Sequence, residues 1–305
     1  MKINRITYLF IRRCYMVPWM FHQIIKAGNS EKDTIQERYN KVKNVCHKVN
    51  QYAHVNIKVT GKENLPKENG FILTPNHQGL FDVLLLIDTC DKPISTVMRK
   101  DLENTPLLKQ VMKALDGKAI DRDNPRQGMQ IIKEMSEEIS KGRNYVIFPE
   151  GTRSRKGNIV GEFKGGSFKS AVRVKAPIVP VALIDSFKPF DIKDTKSVDV
   201  QIHYLEPLYY EEYKEMKTVE IAVNNKQVIN VALESDSKEL DEVMVVAYAT
   251  AKKYSFTGAA ATVKGEDIAK LQTSSISKAL EGTVAGLQAS ATSGQPGTDA
   301  DIRIR

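Results

Sequence analysis

The chain has 305 residues, 41% of them apolar, with 45 Lys and Arg against 37 Asp and Glu. That length holds one large domain or two modest ones, and the apolar share is enough for a packed core. Cys14, Cys46 and Cys90 are scattered and odd in number, which argues against a disulfide framework or a zinc site and points to a reducing cytoplasm.

The first thirty residues are apolar and aromatic but carry Arg5, Arg12 and Arg13. Their clean runs, Tyr8 to Ile11 and Cys14 to Phe21, fall far short of the roughly 20 apolar residues of a spanning helix. The arginines also interrupt any signal-peptide core, and no small-x-small cleavage site follows. An interfacial segment fits better, with Phe10, Met16, Trp19 and Phe21 at the acyl boundary and arginines at phosphates. A core-packing helix is the alternative. Ile35, Tyr39, Val42, Cys46 and Val49 then share one face of a helix expected from Asp33 to Tyr52.

From His54 strands and helices alternate. Val55, Ile57 and Val59 mark a half-buried strand, and Gly70 to Pro75 a buried one after a polar loop. A helix follows Asp82, then a strand over Pro93 to Met98 and a helix starting at Thr105-Pro106 and ending near Gly117. Lys118 to Asp121 reads as a short strand and Pro125 to Ser140 as an amphipathic helix stopped by Gly142. Strands at Asn144 to Ile147 and Ile178 to Leu183 flank a helix over Ser167 to Val174, and Val198 to Tyr204 is a late strand. Single helices between strands predict an α/β domain with a mostly parallel sheet.

Two stretches carry chemistry. Asn76-His77-Gln78-Gly79-Leu80-Phe81-Asp82 lies between the buried strand and the next helix. Asp82 in the helix's first turn would fix the tautomer of His77 and leave the other ring nitrogen free to take a proton. Alone, the pattern also fits a surface histidine beside a helix-capping acid. No Gly-x-Ser-x-Gly elbow or cysteine is placed as nucleophile, so the attacking group would be a hydroxyl of the substrate. The second stretch, Phe148-Pro149-Glu150-Gly151-Thr152-Arg153-Ser154, also follows a strand-like run.

With Gly117-Lys118-Ala119-Ile120-Asp121-Arg122 and Ile178-Val179-Pro180-Val181, these stretches resemble, in order, the motif blocks of the 1-acylglycerol-3-phosphate acyltransferase family. The resemblance covers residues 1–222. It implies interfacial, membrane-docking helices over 1–53 and a glycerolipid acyltransferase-like α/β domain over 54–222. The implied reaction moves an acyl group from a thioester to the 2-hydroxyl of lysophosphatidate, giving phosphatidate. His77 would be the base and Asp82 its partner, while Arg122 and Arg153 would grip the phosphate. Glu150 would meet a glycerol hydroxyl or a buried arginine, and Gly151 would allow close backbone approach or a positive φ. Thr152 would belong to the same substrate loop. Lys100 would offer an oxyanion or phosphate contact, or be a solvated lysine. No metal and no cofactor is expected beyond the donor, acyl-carrier protein or acyl-coenzyme A. The expected setting is peripheral, on the cytoplasmic face of the cell membrane, without nucleic acid.

Charge supports the division. Residues 1–222 hold 36 Lys and Arg and 27 Asp and Glu, whereas 223–305 hold 9 and 10. A basic body suits anionic headgroups, an acidic carrier protein or nucleic acid alike, so charge does not choose between them. In the tail, Leu240 to Tyr248 followed by Ala249-Thr250-Ala251-Lys252-Lys253 resembles a TonB box. Thr257-Gly258-Ala259, Val263 to Ile268, Ala279 to Leu287 and Ile302 to Arg305 resemble the start of a plug from TonB-dependent outer-membrane receptors of the glycan-uptake type. The join reads as two spliced genes, with the acyltransferase losing its final helix near Thr218 to Ala222. Val228 to Leu233 and Val243 to Tyr248 read as short strands in a poorly ordered fragment over 223–305. The competing readings are a non-enzymatic receptor fragment and an acyltransferase acting on another lysophospholipid.

Overall fold

The computed structural model describes residues 5–105, 107–121 and 123–235, with short strands beyond at Val245–Val246, Ala249–Thr250, Leu287–Ser290 and Asp301–Ile304. Met1–Glu239 forms one compact unit and Leu240–Arg305 another. In the second unit the strands pair as two small antiparallel ladders. The rest of the TonB-box and plug reading lies outside the described residues.

The first unit opens with α1 (Arg5–Arg12), α2 (Met16–Asn29) and α3 (Ile35–Tyr52). Thr34 starts α3 through a capping box: its hydroxyl accepts the Glu37 N–H while the Glu37 carboxylate accepts that of Thr34. Tyr39, Val42, Val45 and Cys46 recur at helical spacing on the buried face. Two side chains expected at a lipid surface are engaged inside the protein. The Arg5 guanidinium is buried and donates to the carbonyls of Pro189 and Ala53. Trp19 lies half-buried under the Lys48 ammonium, 4.3 Å from its ring centre. Phe10, Ile11 and Tyr15 remain exposed, at 53%, 69% and 61%. Among the described residues no helix is long and apolar enough to cross a membrane.

The strands β1 (Val55–Thr60), β2 (Ile72–Pro75), β3 (Ile94–Arg99), β4 (Lys118–Ile120), β5 (Asn144–Val146), β6 (Ile178–Ile184) and β7 (Val198–Tyr204) form one sheet in the order β1-β7-β6-β2-β5-β3-β4. Neighbours run parallel except β6 and β7. Between and after the strands come α4 (Phe81–Thr89), α5 (Leu108–Ala114), α6 (Pro125–Ser140), α7 (Lys169–Val174), α8 (Lys188–Asp191), α9 (Tyr210–Tyr213) and α10 (Thr218–Ser235). Alternation along β2 and β6 builds two cores. Leu73, Val179, Val181 and Leu183 join Tyr39, Phe81 and Leu85 on one face. Ile72, Ile178 and Ala182 join Met135, Phe168, Ile221 and Ile229 on the other. This is the helix–sheet–helix layering expected of a mostly parallel sheet buried on both faces.

The end of this unit corrects the sequence reading. The final helix is present, and Val228 to Leu233 belongs to it rather than to a strand. Ile221, Ala222, Asn225 and Ile229 follow a 3–4 residue rhythm and are all buried against the sheet. The domain boundary drawn at 222 therefore falls inside α10. Apolar residues with high β propensity were read over too short a window, and burial on one face decided for helix.

Candidate active site

β2, β3, β4, β5 and β6 all end on one edge of the sheet, where open α/β sheets gather their ligand-binding groups. His77 follows β2 there. Its Nδ1 lies 2.7 Å from Asp82 Oδ2 at the start of α4. Asp82 is 0% exposed, so its charge depends on donors, and they are supplied. Oδ2 also accepts the N–H groups of Gln78 at 2.7 Å and Gly79 at 3.0 Å, and Oδ1 lies 2.6 Å from the Ser186 hydroxyl. An acceptor on Nδ1 assigns the proton to that nitrogen and turns Nε2, a lone-pair acceptor, toward substrate. The imidazole stacks on Phe148, with ring centres 4.1 Å apart.

Among the described residues Glu150 is paired with backbone N–H groups and not with an arginine. Its Oε1 accepts the His77 N–H at 2.7 Å and its Oε2 the Gly161 N–H at 3.0 Å. Burial pushes its carboxyl up from the usual range, while the two N–H groups oppose that shift. Through these bonds Glu150 fastens the histidine turn to the Phe148 loop. Ser154 N–H completes the join by donating to the His77 carbonyl at 2.9 Å. Its ranking as a substrate contact came from the motif's company. Nothing in the sequence shows which backbone groups converge on a carboxylate.

The remaining loop residues divide. Gly151 takes a φ of +68°, as expected, and a β-carbon there would lie 3.4 Å from Lys164 Nζ. Thr152 is exposed. Arg153 lines a pocket of about 430 Å³ together with Gln78, Arg155, Gly157, Phe187 and Asp191. Arg155, at a left-handed φ of 53°, belongs to the basic run Arg153-Ser154-Arg155-Lys156-Gly157, whereas Asp191 carried no signal in the sequence. Lys100 follows β3, about 10 Å across the edge at two strand spacings from β2. It is exposed and lies 3.8 Å from Asp121 Oδ2, so the structure does not bring it to His77. Arg122 lies outside the described residues.

Buried amides hold the edge rigid. Asn76 exchanges two hydrogen bonds with the Leu183 backbone, at 2.7 and 3.0 Å. Gln78 donates to Leu183 O and Asn158 Oδ1 and accepts the Ser186 N–H. Ser186 carries no motif of its own. The available signal was positional: it follows the C-terminal end of a strand parallel to β2.

Comparison with known proteins agrees with this geometry. Residues 56–184 match the family model described as Acyltransferase. A probable 1-acyl-sn-glycerol-3-phosphate acyltransferase of Mycoplasma pneumoniae is 29% identical over 218 residues, covering 63% of this chain and 79% of that one. The crystal structure of the 1-acyl-sn-glycerophosphate (LPA) acyltransferase of Thermotoga maritima superposes with a TM-score of 0.62. It covers 78% of this chain and 96% of that one at 21% identity, a likeness of fold. Separately, TonB-dependent receptor P26 of Formosa agariphila is 42% identical over 86 residues, which are 28% of this chain and 9% of the receptor. That match fits the chimeric reading, with a small part of a receptor joined to a different body. Motif order, the geometry around His77 and the layered sheet all agree with the match of residues 56–184 to the Acyltransferase family model.

Proposed function

We propose that this chain transfers a fatty acyl group from a thioester to the 2-hydroxyl of 1-acyl-sn-glycerol 3-phosphate, forming phosphatidate. The observation that carries the reading is the pairing of His77 with the buried Asp82 beside a pocket lined by Arg153 and Arg155. Nε2 of His77 takes the hydroxyl proton as the oxygen attacks the thioester carbonyl, and Asp82 stabilises the imidazolium that forms. The carbon–sulfur bond then breaks, and the imidazolium returns its proton to the departing thiolate. The two guanidiniums offer the planar donor forks that suit a phosphate. Either acyl-carrier protein or acyl-coenzyme A fits as donor. The pocket's residues address a phosphate and its glycerol, so another lysophospholipid is the second reading. A purified-protein assay settles both choices: lysophosphatidate and other lysophospholipids as acceptors, each with both donors. Transfer to none of these acceptors overturns the proposal.

Arg153→Ala is expected to raise the KM for lysophosphatidate about tenfold or more, and that for the acyl donor much less. An equal rise for both substrates would indicate a collapsed loop instead of a lost phosphate contact.

The substrate's membrane home is matched by exposed apolar groups. Leu80, three residues from His77, is 55% exposed, and Ile159, two residues beyond the basic run 153–157, is 65% exposed. Phe10 and Ile11 add to this on α1, consistent with peripheral docking. Replacing both with serine, which leaves the buried Arg5 of α1 untouched, is expected to weaken co-sedimentation with anionic vesicles and activity on vesicle-borne substrate. Unchanged sedimentation would sink the docking role of α1.

A further inference from the structure

Beyond the dyad, one buried hydroxyl addresses the catalytic acid. Ser186 is 0% exposed and follows β6, more than a hundred residues from His77 in sequence. Its Oγ lies 2.6 Å from Asp82 Oδ1 and 3.0 Å from Gln78 Oε1. One hydroxyl proton cannot serve both oxygens. Gln78 Oε1 already accepts the Ser186 N–H at 2.9 Å, whereas Asp82 Oδ1 at 2.6 Å would otherwise face a bare lone pair. The proton therefore lies on the Ser186–Asp82 contact, which has the short length of a charge-assisted bond.

We propose that Ser186 is a positioning residue that sets the pH at which His77 can act as the base. This rests on the acyl-transfer reading above and adds to it a group outside every motif block. By donating to Oδ1, Ser186 draws charge away from Oδ2, the oxygen that holds Nδ1. The imidazolium is then stabilised less than it would be by an unshared carboxylate. The same bond fixes the carboxylate plane, and with it the ring. Other charged groups reach this corner from each element around it. Glu150 comes from the loop after β5, Arg153 and Arg155 from beyond it, and Asp185, Lys188 and Asp191 from the segment that carries Ser186. Asp185 and Lys188 pair with each other at 2.7 Å, and on the far side α3 directs His47 to Asp88. Glu150 is bound to backbone N–H groups, which leaves Ser186 as the side chain that bonds Oδ1 among the described residues.

The test is the kcat–pH profile of the full chain at saturating lysophosphatidate and donor. Ser186→Ala is expected to lower the plateau about tenfold. It should also move the acid limb to higher pH, because a carboxylate without its donor holds the imidazolium more tightly. Ser186→Thr, which keeps the hydroxyl, should restore the limb. Ser186→Cys keeps the shape with a weaker donor and should shift the limb in the direction of alanine. Should the alanine protein fail to fold, the threonine and cysteine profiles decide between them. A reduced plateau with the limb at its original pH means that Ser186 only packs, and overturns the proposal. So does a profile unchanged in both respects. Neither result touches the assignment of His77 as base, which loss of activity in His77→Ala tests separately.

Discussion

His77→Ala is expected to lower kcat by at least about two orders of magnitude at saturating concentrations of both substrates, since one positioned base contributes about that much. The fold should survive. The His77 imidazole is partly exposed, and its contacts are the Asp82 carboxylate and the face of Phe148. The far-ultraviolet circular dichroism and melting temperature should therefore stay close to those of the parent protein. Asp82→Asn should cost less but remain severe. Its side chain still offers one acceptor oxygen to the turn, while the charge that stabilises the imidazolium is gone. A near-normal kcat in the alanine protein would remove His77 from the base role.

Ending the chain at Ala222 is expected to destroy the domain, whereas ending it at Glu239 should preserve both stability and acyl transfer. The shorter cut deletes Asn225 and Ile229, each fully buried, and opens the core that Ile221 and Phe168 share with the sheet. Losing a buried isoleucine costs about 2–5 kcal/mol by itself, a large share of a domain's net stability. It also removes the Asn225 amide oxygen that accepts the Thr74 hydroxyl at 3.1 Å. Thr74 lies on β2, three residues before His77, so the damage reaches the catalytic edge directly. Soluble yield, melting temperature and transfer rate of the two truncated chains decide the matter. Equal behaviour of the two would mean that α10 is an ornament on a complete domain.

Most of the scaffold was legible because its elements announce themselves twice, by period and by punctuation. Pro125 at the first helical position and Gly142 after the last bounded α6 correctly, and alternation located β1 and β7. The approach of His77 to Asp82 was legible for a local reason: five residues across a strand-to-helix turn leave few other places for the carboxylate. Ser186, Asn158 and Gly161 were not legible. Asn158 and Gly161 come from the β5–β6 crossover and Ser186 from the segment after β6, and only the strand order β6-β2-β5 makes them neighbours. The same order separates Lys100 from the histidine, although both follow strands that end on one edge. Helix α10 was missed because the familiar motifs had run out before it began. An expectation of a truncated body then outweighed the spacing of Ile221, Asn225 and Ile229.

The outermost strands of the sheet are β1 and β4, and each is poorly suited to recruiting another strand. β4 is only three residues long, and its Lys118 is held by Glu134 and Glu138 of α6. β1 is longer but sets Asn56, Lys58 and Thr60 outward, with Asn56 bonded to Ser197 and Asp199 and Thr60 to His203. Shortness and an outward polar row are the usual defences of an open sheet against edge-to-edge aggregation. A protein that concentrates on an oily surface meets copies of itself far more often than one in solution. Given the docking proposed above, these two guarded borders would favour staying single while crowded, and replacing Asn56 and Lys58 with valine should turn that crowding into insoluble assemblies.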